Sequence, residues 1–256
     1  MLKYIVREVK QAAKRKMALV ILICIIAVCA VANLAVMAFT LIYGSNIDGV
    51  LGSNVLAFAT WCFPIPYLAT IFIADLVFGP VYPNPHIKDN VTKNMSRTAI
   101  YLGKFFAALI VSVVYMVIAF VCLLLTTRLF HSDITQYDIN LFIENMLVSV
   151  PLWIAGISFG FMFLFMSRHK KKVFIAFYVL TLVIPRIIML LAAEPLCLAP
   201  FIAVRKILIS QSFGHIPYIA DPERSVPFIV CEGIIYTIVS CIIGIITYNK
   251  KDFNKG

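Results

Sequence analysis

The sequence predicts an all-α membrane protein of six transmembrane helices, with an N-terminal interfacial amphipathic helix and both termini in the cytoplasm. Three observations lead there. Hydrophobic residues fill 62% of the 256 positions and charged residues only 13%, with a mean hydropathy of +0.98, a balance that a water-exposed surface does not permit. The apolar residues come in runs of about 20 or more, the length needed to cross a hydrocarbon layer of roughly 30 Å. Lys and Arg collect in alternate loops, which orients the spans.

Residues 1–16 carry an apolar stripe of Leu2, Ile5, Val6, Val9 and Ala13 and a basic stripe of Lys3, Arg7, Lys10 and Lys14. Such a helix lies flat in the headgroup region. The apolar run at 17–43 that follows is longer than the roughly 7–15 residues of a signal peptide, so it reads as the first span. A polar turn at 44–52 leads into the second span, 55–79. Pro64 and Pro66 lie inside that span, where each removes a backbone hydrogen bond and kinks the helix.

The connection at 80–97 is longer and more polar than a helical hairpin needs. Asn84 suits an N-cap and Pro85 a first helical position. Ile87, Val91 and Met95 then share one face at i, i+4 and i+8, with Lys88, Asp89, Thr92 and Lys93 turned elsewhere. A short amphipathic helix with one sticky side is expected here, a docking element for a soluble partner. Ser96 offers a second N-cap at the entry to the third span.

The third span is read at 98–127, an outer loop at 128–140, and the fourth span at 141–166. Within the fourth, Gly156 and Gly160 permit close helix approach, more readily inside the chain than between chains. A basic turn separates it from the fifth span at 173–193, which holds Pro185 and Arg186. Residues 194–226 form an outer, partly re-entrant segment: 201–209 is apolar around Arg205 and Lys206 and too short to cross. The sixth span is 227–248. The whole chain forms one transmembrane domain.

On one predicted side stand Lys3, Arg7, Lys10, Lys14, Arg15, Lys16, Lys88, Lys93, Arg97, Lys104, Arg168, Lys170, Lys171, Lys172, Lys250, Lys251 and Lys255; the other side has Arg128, Arg205, Lys206 and Arg224. That asymmetry places both termini and the 80–97 loop in the cytoplasm. It also accounts for the net charge of +10 as topology and attraction to lipid, with no nucleic acid required.

Catalytic patterns are missing from the sequence. It has no G-x-x-x-x-G-K-[ST], G-x-G-x-x-G or H-E-x-x-H motif, so neither common nucleotide cradle is expected on this chain. Of the seven cysteines, Cys24, Cys29, Cys62, Cys122, Cys231 and Cys241 fall within spans and no C-x-x-C occurs, which reads as apolar packing with no metal. Asp75, Glu144 and Glu232 lie in three different spans and form no catalytic pair.

A basic amphipathic N-terminal helix, six spans, a long first cytoplasmic loop and a partly apolar outer segment before the last span together resemble the permease subunit of type-2 ABC exporters. Residues 90–104, NVTKNMSRTAIYLGK, are similar to that family's Ser-Arg and Gly/Ser-Lys entry into the third span, and the ending TYNKKDF resembles its basic-aspartate tail. The usual loop glycine is replaced at about Asn90.

The resemblance implies a homodimer or a pairing with a sister permease, and a separate ATPase subunit that carries ATP and Mg, this chain binding no cofactor itself. It implies a peptide or peptide-antibiotic cargo. It makes Ile87, Lys88, Val91 and Met95 the ATPase-coupling positions, and Arg186, following Pro185, a candidate pathway residue. The residues alone leave Arg186 open to an ion pair with Glu144, Glu194 or Glu232, or to an outward reach toward the headgroups. An ATP-independent secondary transporter or channel is the alternative function. No evident inverted repeat with matching broken helices argues for it.

Overall fold

The computed structural model of the chain describes residues 1–43, 51–79, 95–131, 134–167, 169–193, 199–216 and 226–250. Among these there is no strand. The helices are α1 (Leu2–Ala13), α2 (Lys16–Tyr43), α3 (Leu51–Trp61), α4 (Pro64–Phe78), α5 (Arg97–Phe130) and α6 (Gln136–Met166). They continue with α7 (Lys170–Tyr178), a π-helical segment (Val179–Val183), α8 (Ile184–Ala192), α9 (Ala199–Arg205), α10 (Ile209–His215) and α11 (Val226–Lys250).

α6 is the central post, with 67% of its apolar window buried against 11% for α2. Its two main neighbours are α11 and α4, and small residues make both contacts close. Gly156 abuts Tyr67 and Thr70, and a methyl group at Gly160 would sit 3.0 Å from the Ala74 Cβ, so the glycine pair of α6 serves packing within the chain. On the other side Gly233 of α11 lies against the backbone of Pro151, and Ser240 donates to Ser158 at 2.8 Å.

α2 packs outside, on α5. Tyr115 donates to the Ala18 carbonyl at 2.9 Å, and the fully buried Asn33 donates to Thr126 at 3.0 Å. Polar ties of this kind fix helices that lack a hydrophobic drive to associate in lipid.

The prolines act where the sequence places them. α3 and α4 meet at a 58° bend, with Pro64 at the first position of α4, where a missing N–H is harmless. The Trp153 indole donates to the Phe63 carbonyl at 3.1 Å, so the break is supported from α6. In the fifth span Pro185 cannot donate to Thr181, and its ring crowds that carbonyl. The turn just before it widens into the π segment, with the Ile184 N–H reaching back to the Val179 carbonyl.

Helices also run beyond the spans read from hydropathy. α5 continues to Phe130, and α6 begins at Gln136 because Thr135 and Asp138 form a capping box, so the outer loop expected at 128–140 is largely helical. Within 199–216, α9 is mostly exposed and α10 is the part packed into the bundle. Ile209, Phe213 and Ile216 are buried, and the Phe213 ring lies 5.4 Å from that of Tyr67. The part of this segment that packs into the bundle therefore starts at Ile209, the last residue of the apolar stretch 201–209.

Candidate functional site

Basic segments scattered along the sequence meet at one end of the bundle. The meeting point is the C-terminus of α4, whose last carbonyls have no partner within the helix and carry the negative end of its dipole. Cations from three other elements cover it. Arg15, between α1 and α2, donates to the Leu76 carbonyl. Lys104 of α5 donates to the Val77 and Phe78 carbonyls, both at 3.4 Å, and its Nζ lies 5.9 Å from the Phe78 ring centroid. Lys170, the first residue of α7, pairs with Asp75 at 2.7 Å.

Lys104 is only 6% exposed and needs a counter-charge there. Glu8 of α1 supplies it at 2.8 Å. Glu8 falls in line with Tyr4 and Ala12 at i, i+4 and i+8, and these three are the buried face of α1. Gly103 makes room for the contact, since a Cβ there would sit 2.6 Å from the Tyr4 ring. Burial, and then the Glu8 carboxylate to which it donates, pushes the Tyr4 phenol well above its ordinary range. Burial pulls the Arg15 guanidinium down from its usual value, while Glu8 and Asp75 hold it up.

Gly79 closes α4 with φ 68° and ψ −169°, a combination open in practice only to glycine. The Arg15 guanidinium occupies the space that a Cβ at Gly79 would fill. Beneath the cations a layer of rings joins four helices: Phe165 of α6 lies 4.8 Å from Phe78, 4.7 Å from Tyr101 and 4.6 Å from Tyr248.

The 80–97 loop thus leaves from a clamped helix end, and it returns to another. Met95 is half-buried at a bend, and Ser96 caps α5 by accepting from the Ala99 N–H at 3.2 Å. Arg97 donates to the Asn249 carbonyl of α11 at 2.9 Å, and Asn249 to Thr98 at 3.3 Å. Ser96, Arg97, Gly103 and Lys104, the residues of the entry motif, all have structural work in this site. Ile87, Lys88 and Val91, with the short helix expected around them, lie outside the described residues.

Pro185 is buried and Arg186 is exposed on α8. The structure does not bring Arg186 to the clamp. Among the described residues it enters no ion pair: Glu144 is exposed on α6, and Glu232 is buried and accepts from Ser212 of α10. Glu194 lies outside the described residues. Sequence reading missed Glu8, Arg15 and Asp75 as site residues. The available signal was the lone acid of a basic helix, sitting in register with Tyr4 and Ala12.

The build is compatible with a multi-pass membrane protein: five helices are long and apolar enough to cross a bilayer, six if the bent pair α3–α4 is one span. The chain matches no known protein family and no curated protein.

Proposed function

We propose that this chain is the membrane-spanning permease subunit of an ATP-binding-cassette exporter, placed in the cell membrane with both termini in the cytoplasm. A separate ATPase subunit supplies ATP hydrolysis, two permease chains pair, and a peptide or peptide antibiotic is the cargo. The observation that carries the reading is the fastening of the 80–97 loop at both of its ends. Gly79 stands under Arg15, Asp75 ties to Lys170, and Lys104 ties the end of α4 to α1, while Arg97 and Thr98 tie the returning chain to α11. A displacement of the loop reaches α1, α4, α5, α7 and α11 together.

Helices linked in this way are what an ATPase docked on Ile87, Lys88, Val91 and Met95 would need to move. The 58° bend between α3 and α4 gives the movement a hinge. The gathering of cations at this end supports a cytoplasmic location for it. α1 lies at the membrane surface in this reading. Arg186, on the outer face of α8, serves the pathway toward a second permease chain, because an arginine at mid-span is expensive against lipid alone.

Co-expression with an ATP-binding-cassette ATPase, expected on this reading to be encoded beside it, tests the proposal. The expected result is a stable complex through affinity and size-exclusion chromatography, with ATPase activity that responds to peptide. A chain that moves cargo in proteoliposomes with no ATPase present would instead support the ATP-independent alternative.

A further inference from the structure

α1 has three faces. Tyr4, Glu8 and Ala12 are buried against the bundle. Leu2 and Val6 stand 75% and 45% exposed, next to the half-buried Ile5 and Val9. Lys3, Arg7, Lys10 and Lys14 form the third face and, with Val6 and Gln11, line a shallow groove of about 340 Å³. The only acid of α1, Glu8, is turned the other way and held by Lys104, so no carboxylate of this helix enters the groove. Two residues separate α1 from the apolar α2, so the groove lies beside the N-terminal end of that helix.

We propose that this groove binds the headgroup of an anionic phospholipid. Lys10 and Lys14, about one turn apart, take the phosphate, Lys3 adds its charge from the same face about two turns away, and Leu2 and Val6 meet the first part of the acyl chains. The inference rests on the reading of α1 as a helix at the membrane surface, but it requires neither an ATPase nor a cargo. Charge complementarity alone would admit any soluble anion. The apolar face bordering the groove selects the lipid, because a free phosphate would leave Leu2 and Val6 in water, whereas a phospholipid covers the basic and the apolar face at once.

The test uses the purified full chain in detergent. It is titrated with phosphatidylglycerol and, separately, with phosphatidylcholine, and bound lipid is counted by native mass spectrometry. Wild type is expected to retain phosphatidylglycerol preferentially, with the preference weakening as salt rises. K3Q, K10Q and K14Q combined should abolish the preference, at about fivefold per lysine, while arginine at the same three positions preserves it. Should the triple variant fail to fold, K10Q alone is expected to show the single fivefold loss.

Equal retention of phosphatidylglycerol by wild type and variant would overturn the proposal. So would displacement of the lipid by glycerol phosphate at matched concentration, which would mark a site for soluble phosphate. Because lipid is counted without transport, the groove can fail while the exporter reading stands, and the converse holds as well.

Discussion

At the scale of single residues, the Glu8–Lys104 pair shows how a charge can be hidden in an apolar bundle. The two side chains are 10% and 8% exposed and 2.8 Å apart, and Lys104 spends its remaining hydrogens on α4 carbonyls. Removing one partner strands the other, at about 3–5 kcal/mol. Lys104→Met should therefore lower the melting temperature of the purified chain by on the order of 10 °C. Adding Glu8→Leu should restore most of it, since a well-packed apolar pair replaces a buried ion pair at little cost; a double variant no better than the single would show that the pair is not the relevant contact. Arg186 is the opposite case, a cation on an outer face with no ion pair among the described residues. Arg186→Gln is expected to leave abundance and melting unchanged and to alter cargo-stimulated ATPase activity. A loss of abundance, with activity per molecule preserved, would make it a structural residue.

At the scale of elements, the sequence was legible wherever one local signal decides. Hydropathy located the long apolar helices, Pro64 and Pro66 the bend, and Ser96 the start of α5. The reading fell short where a tertiary partner decides. Pro185 announces a disturbance, but the form it takes, a π segment, depends on how Val179–Val183 relieves the Thr181 carbonyl. The packing of α10 into the bundle was written in the spacing of Ile209, Phe213 and Ile216, yet the charged pair Arg205 and Lys206 drew attention to the stretch before it. α1 was legible as an amphipathic helix, but the face that docks is Tyr4, Glu8 and Ala12, which a hydrophobic stripe does not reveal. For the candidate site, residue types pointed to a basic end, while the clamp on α4 depends on contacts between residues 26 to 96 positions apart. Gly79 is the element-scale test of that clamp. Gly79→Ala forces a Cβ into a glycine-only conformation, about 1–3 kcal/mol, and into the Arg15 guanidinium. Its expected effects are a lower melting temperature and faster protease cleavage within 80–94; an unchanged digestion pattern would mean that the loop is not held from this end.

At the scale of the whole molecule, the account rests on a division of labour. In the proposed function, a helical chain with no phosphate-binding motif would receive force through the 80–97 loop from a partner that hydrolyses ATP. The loop's apolar positions are few, so one charge should disconnect the two subunits without disturbing the bundle. The decisive measurement is ATP-driven peptide movement in proteoliposomes that contain the chain and its ATPase, comparing wild type with Val91→Asp at equal reconstitution. The account predicts that Val91→Asp inserts and melts like wild type, retains basal ATP hydrolysis by the ATPase subunit, and loses at least tenfold in transport, the effect of about 1.4 kcal/mol at the docking contact. Wild-type transport by Val91→Asp, or wild-type transport by the chain when no ATPase is present, would contradict it.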